Sequence, residues 1–291
     1  MARKLKSATR HKVAGIVVIA SLSGSLAGAQ DAAQPQQQQQ QQQPMPAPYS
    51  EDCRVGNTPH ISEAPLPNVA VALQKRKKLK ILAIGASAAS GRRGRRGGYT
   101  EQIEDILEKA IKGLDVVIIN RGVSGELAAA AAARIKNDVA LYDPDLVLWQ
   151  VGTNDALAYV PLDQLSDTIV DTVKWLKAHH VDVVLAGLQF VKQLEQDDHY
   201  RAVRNLIRKV AAEENVVVVR RSEAMRLLTN VERGGGGLFP EEFAQTEIGF
   251  ACLAEYVARA IALAAFGRDL RPQPPPPQAP QPAPLLDPQP R

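Results

Sequence analysis

Five short runs rich in apolar, β-branched residues recur through the middle of the chain, at 79–84, 116–119, 146–151, 181–188 and 216–219. Between them lie segments of helical period at 99–112, 125–141, 162–179 and 199–214, with a last one at 246–266. This alternation restricts the fold more than any other feature. Strands that are apolar along their whole length are covered on both faces, and a strand, a helix and a second parallel strand are joined by a right-handed crossover. The expectation is a three-layer α/β domain, with about five parallel strands in flavodoxin-like order. In such sheets ligands bind beyond the carboxyl ends of the strands, so the stretches to search are 85–98, 120–125, 152–161, 189–198 and 234–245.

The ends of the chain have a different character. Arg3, Lys4, Lys6, Arg10 and Lys12 precede an apolar stretch, 13–27, that closes on Ala27-Gly28-Ala29. That pattern is expected to be a signal peptide over 1–29, making the protein exported, periplasmic or secreted. The apolar stretch is too short for a comfortable bilayer span, so the mature chain is expected to have no transmembrane span. Removing the five basic residues of the leader takes the formal charge from +4 to −1. The basic balance therefore belongs to the leader and gives no argument for a nucleic-acid partner. Residues 30–50 hold the glutamine run 36–43 followed by Pro44, Pro46 and Pro48, and read as a linker. Residues 268–291 are a proline-rich tail; both segments lack an apolar face to bury and are expected to be disordered. One domain remains, 51–267, with Cys53 and Cys252 at its opposite ends. In an oxidising compartment the two thiols are expected to pair and tie the lead-in to the last helix, the alternative being two unpaired buried thiols.

Three of the strand-end stretches carry matching chemistry. Ser87 follows the first strand, Gly122 lies in "NRGVSGE" after the second, and Asn154 lies in "VGTND" after the third. A hydroxyl that attacks an ester carbonyl needs donors for the developing oxyanion, and a glycine N–H with an asparagine amide are suitable ones. In these blocks the chain resembles the SGNH/GDSL hydrolase family across the whole domain. The resemblance implies that Ser87 is the nucleophile, and that the Ser87 and Gly122 backbone amides and the Asn154 side chain form the oxyanion hole. Ala86 stands where the family usually has aspartate. The family's last block is D-x-x-H, whose histidine activates the serine; here Glu241 occupies the acid position and Ala244 the histidine position.

No histidine follows His199. His11 lies in the leader, His60 in the lead-in, and His179 and His180 at a helix end that should fall at the far edge of the sheet. His199 follows a strand's carboxyl end; it is either a relocated base or an exposed residue opening a helix. Glu241 is the other candidate for a weak substitute base, and no imidazole is expected beside Ser87.

Arg92, Arg93, Arg95 and Arg96 follow Ser87 in a glycine-rich stretch, and are either an attractor for an anionic glycan or phosphate group or simply solvated. Five residues separate Gly85 from Gly91, and Arg92-Arg93 follow, which does not match a phosphate-binding loop; no G-x-G-x-x-G occurs. Trp149 and Trp175 read as core. No cofactor and no metal are expected. The resemblance thus implies an exported serine ester hydrolase acting on acyl or acetyl esters, envelope carbohydrate included, with impaired catalysis. The alternative is a non-catalytic binding protein of the same fold, for a glycan or protein partner.

Overall fold

The computed structural model describes residues 50–54, 61–62, 64–85, 99–230 and 247–266. Its strands are β1 (Lys78–Ile84), β2 (Asp115–Asn120), β3 (Leu146–Gln150), β4 (Asp182–Ala186) and β5 (Val217–Val219). All pair in parallel, in the order β2-β1-β3-β4-β5, as the alternating pattern predicts. The helices are α1 (Pro67–Val71, continuing into a π turn, Ala72–Arg76), α2 (Tyr99–Ala110), α3 (Ala128–Tyr142), α4 (Thr153–Leu157), α5 (Leu162–Ala178), α6 (Asp198–Glu213), α7 (Arg221–Asn230) and α8 (Glu247–Phe266).

Side chains of a strand point alternately to its two faces, and the sheet divides its residues accordingly. Leu79, Ile81, Leu146, Leu148, Val184 and Val217 pack into one core with α1, α2, α7 and α8. Leu82, Ile84, Val147, Trp149, Leu185 and Val218 pack into the other with α3, α5 and α6. Trp149 is therefore core, as expected, whereas Trp175 is half-buried and stacks on His179, with ring centroids 3.9 Å apart. Helix α8 is long and apolar enough to cross a membrane, yet Cys252, Leu253, Tyr256, Val257 and Ile261 on it are buried in the first core.

The lead-in is tied to the domain at two places. Ile61 bridges Val219 in antiparallel sense, and Ser62 donates its N–H to Val218 O at 3.1 Å while its Oγ accepts from Val218 N at 2.8 Å. These bonds occupy backbone groups at the outer edge of β5, which would otherwise be open to strand addition. Upstream, Cys53 and Cys252 form the expected disulfide, with Cα atoms 5.0 Å apart. Tyr256 Oη donates to Cys53 O at 2.6 Å beside it.

Asp182, at the start of β4, accepts from Asn68 Nδ2 at 2.8 Å and Val69 N at 2.9 Å, and so holds the first turn of α1. Burial pushes its carboxyl above the usual range, against the opposing pull of those donors. A carboxyl raised in the folded state binds more protons folded than unfolded. Its contribution is therefore complete below the ordinary carboxylate pKa, about 4, and is lost as pH rises through the folded value. Asp182→Asn is expected to flatten the fall in melting temperature as pH is raised from about 4 towards neutrality. Melting curves of variant and parent that run parallel across that range would contradict this.

Strand order reverses between β1 and β3, and the crevice at their carboxyl ends is where a doubly wound sheet takes its ligand. Gly85 leaves β1 there with φ +121, and a Cβ on it would lie 2.5 Å from the backbone oxygen of Gln150 at the end of β3. The two chains meet too closely for any side chain. Gly85→Ala is expected to cost about 2 kcal/mol or more, read as a lowered denaturation midpoint.

Candidate active site

The segment after β3 supplies most of the site, and each residue of its glycine-to-aspartate block has a separate task. Gly152, with φ +99, turns the chain out of the sheet into α4. Thr153 Oγ1 accepts from Gln189 N at 3.1 Å, and Tyr200 Oη donates to Gln189 O at 2.7 Å, so the loop after β4 is fastened to this turn. Asp155, buried, accepts from Ala128 N at 2.8 Å and fixes the start of α3. Burial raises its carboxyl above the ordinary range, and the backbone N–H groups around it pull the other way. Asn154 Nδ2 donates to Glu126 O at 2.9 Å, which uses one amide hydrogen and leaves the second without a partner among the described residues. A shallow depression opens at this point, lined by Gly85, Leu127, Trp149, Gln150, Gly152 and Asn154 among others.

The loop after β2 forms the opposite side. Arg121 N donates to Ala83 O at 2.8 Å, which carries the β1–β2 pairing one residue further. Gly122 N donates to Asn120 Oδ1 at 3.0 Å. Behind the loop, Arg134 on α3 grips Glu126 through Nε at 3.0 Å and NH2 at 2.8 Å, Arg121 O at 2.8 Å, and Asp138 Oδ2 at 2.9 Å. Arg121 Nε closes the network on Asp138 Oδ1 at 3.2 Å. Glu126 and Asp138 are almost wholly buried and Arg134 is a quarter exposed. Arg134→Met would take the guanidinium from the buried Glu126 carboxylate and leave Asp138 with Arg121 alone. The expected cost is about 2–3 kcal/mol, less than for a fully buried pair because water reaches the guanidinium. Equilibrium urea unfolding checks it; a loss under about 0.5 kcal/mol would show the network to be dispensable.

Of the residues singled out from the sequence, Ser87, Ala86, Glu241, Ala244 and the arginines 92, 93, 95 and 96 lie outside the described residues. Gly85, two positions before Ser87, shares the pocket wall with Asn154. Gly122 sits on the adjoining loop, outside that lining, with its N–H turned to Asn120. His199 lies in the first turn of α6, stacked on Tyr159 with ring centroids 5.0 Å apart and planes 18° apart. Its Nε2 is enclosed and has no hydrogen-bond partner among the described residues. His179 is at the amino edge of the sheet, before β4, as expected; it ends α5, and its Nδ1 lies 2.7 Å from Trp175 O. Sequence reasoning missed Glu126, Arg134, Asp155 and Tyr159. Only the position of Asp155 inside the "GTND" block could have signalled any of them.

The chain matches the non-GDSL lipase-like family over residues 52–266. No curated protein matches it. Among solved structures it is similar to Axe2, an acetylxylan esterase from Geobacillus stearothermophilus, at 21% identity and a TM-score of 0.51, over 63% of this chain and 94% of that one. It is similar also to the acetyl xylan esterase AlAXEase, at 22% identity and a TM-score of 0.52, over 62% of this chain and 98% of the other. At these identities the likeness is one of fold.

Proposed function

The chain belongs to the non-GDSL lipase-like family, whose match spans the whole folded domain, and on that footing we propose that it is an SGNH-type serine ester hydrolase with Ser87 as nucleophile. The observation that carries the reading is Asn154, held by Glu126 at a pocket on the β1/β3 reversal, with its second amide hydrogen unpartnered among the described residues. In the proposed reaction Ser87 Oγ attacks the ester carbonyl and its proton passes to a base. The oxyanion takes hydrogen bonds from Asn154 Nδ2 and from the Ser87 and Gly122 amides, the last exchanging Asn120 Oδ1 for the substrate. Collapse expels the alcohol, and water then releases the acid from the acyl-serine.

The base is the weak element. Ala244 stands at the family's histidine position, and Glu241, at the acid position of that block, is the substitute proposed. Turnover is therefore expected to be slow. The substrate class proposed is an acyl or acetyl ester of a carbohydrate; the acetylxylan esterases that share the fold support it. Residues 1–29 are proposed to direct export, to the periplasm or outside the cell, where the Cys53–Cys252 bridge would form. Ala244 itself favours a second reading, a non-catalytic protein that keeps the pocket for a glycan or protein partner. The test is Asn154→Ala: loss of one oxyanion donor should lower Ser87-dependent hydrolysis about 10²- to 10³-fold. An unchanged rate would remove Asn154 from the machinery.

A further inference from the structure

Tyr159 is a large aromatic residue in a conformation that aromatic residues avoid. Its φ is +52, in the left-handed region that glycine and asparagine enter readily and a bulky side chain does not. Tyr159 follows the last turn of α4 as its left-handed C-terminal cap, a place that glycine or asparagine usually takes. The surroundings enforce the angle. Ala158 N bonds Asn154 O at 2.9 Å, Tyr159 N bonds Ala156 O at 3.2 Å and Val160 N bonds Asp155 O at 3.0 Å, so the turn is an extension of the short helix that carries Asn154.

The ring is fixed as firmly as the backbone. Tyr159 Oη donates to Asp197 Oδ2 at 2.5 Å, and one face stacks on His199. Asp197 is itself held, its Oδ1 accepting from Tyr200 N at 2.7 Å at the start of α6. The hydrogen bonds from Tyr159 and from the Tyr200 backbone keep the Asp197 carboxyl below its ordinary range, so it is ionised at any pH near neutral. Tyr200 in turn bonds Gln189 O, and Gln189 N bonds Thr153, the neighbour of Asn154. Despite these restraints the side chain is not packed away: Tyr159 is 63% exposed, and Leu157 beside it is 54% exposed. A solvent-facing ring held by a strained backbone, a hydrogen bond and a stack contributes little to the core. It is a rigid apolar plate with a carboxylate at its edge, one helical turn from Asn154.

We infer that the Tyr159–His199 stack is a sugar-binding platform that holds a pyranose ring of the substrate beside the ester pocket. A pyranose offers an apolar face of C–H groups with hydroxyls around its rim. The C–H face suits the electron-rich face of the tyrosine ring, and the rim hydroxyls suit the spare lone pairs of Asp197. Prior fixation of ring and carboxylate removes ordering cost from binding. The inference deepens the carbohydrate-ester reading by naming where the sugar is held, and it is tested without hydrolysis.

The test uses the full chain in a Ser87→Ala background, titrated calorimetrically with cellotetraose, xylotetraose and chitotetraose. At least one should bind saturably. Tyr159→Asn, which suits the left-handed backbone and preserves the fold, should weaken that binding about ten-fold or more. Tyr159→Phe, which keeps the ring face and loses only the bond to Asp197, should weaken it less. Absence of saturable binding to all three sugars at about 10 mM, or equal affinity in Tyr159→Asn, would overturn the inference. Tyr159-dependent binding in a chain whose Ser87 form hydrolyses nothing would support the platform while removing the ester reading.

Discussion

Replacing both Cys53 and Cys252 by alanine is expected to lower the unfolding free energy by about 4 kcal/mol. The bridge closes a loop of 199 residues, so it removes more freedom from the unfolded chain than any local contact could. Both cysteines are also buried, at 1% and 0% exposure, where Cys53 anchors the lead-in turn against α8 and Tyr256 donates to its carbonyl. For a domain of this size the loss corresponds to a fall in melting temperature of about 8–16 °C. Urea unfolding of the oxidised parent and the double variant measures it. A difference under about 1 kcal/mol would mean that native contacts alone hold the lead-in.

Restoring a base is expected to have the largest effect on activity. A carboxylate titrates near 4 and an imidazole near 6.5, so a carboxylate is a far poorer proton acceptor at neutral pH than the histidine the family uses. Ala244→His should raise Ser87-dependent ester hydrolysis about 10²-fold, with Glu241→Asp added to rebuild the family pair. The gain must vanish when Ser87→Ala is added. Brisk hydrolysis by the unaltered chain, abolished by His199→Ala, would instead make His199 the base, relocated to the loop after β4. The enclosed Nε2 of His199 makes that control essential.

The sheet was legible because its strands are buried on both faces and so read as unbroken apolar runs. Each observed strand falls within two residues at either end of its run, and parallel pairing follows from the helices between them. The short helices were not legible. Five residues in α4 and five in α1 are too few to show a helical period, and both are fixed from outside, by Gly152 and by Asp182. Helix α3 begins at Ala128 rather than at 125 because Gly125 has φ +77 and the Asp155 carboxylate caps three residues later. Helix α7 gives little signal in sequence because its residues mix charged and apolar types without a clear stripe.

The same division runs through the site. Asn154 was readable because its block has a fixed spacing after a strand. The network of Arg134, Glu126, Asp138 and Arg121 was not, since charges on a helix usually face solvent and only the fold turns Arg134 and Asp138 of α3 against Arg121 and Glu126 of the β2 loop. Tyr159 gives no sign at all in sequence. Its place is set by a backbone angle and by Asp197, 38 residues away.

The most direct test of the account is the hydrolysis of 4-nitrophenyl acetate by the purified protein beside its Ser87→Ala variant. The prediction is a slow rate for the parent, above that of buffer alone, which Ser87→Ala reduces to the buffer level. A Ser87→Ala protein that hydrolyses the ester as fast as its parent would contradict the assignment of the nucleophile, and with it the proposed reaction.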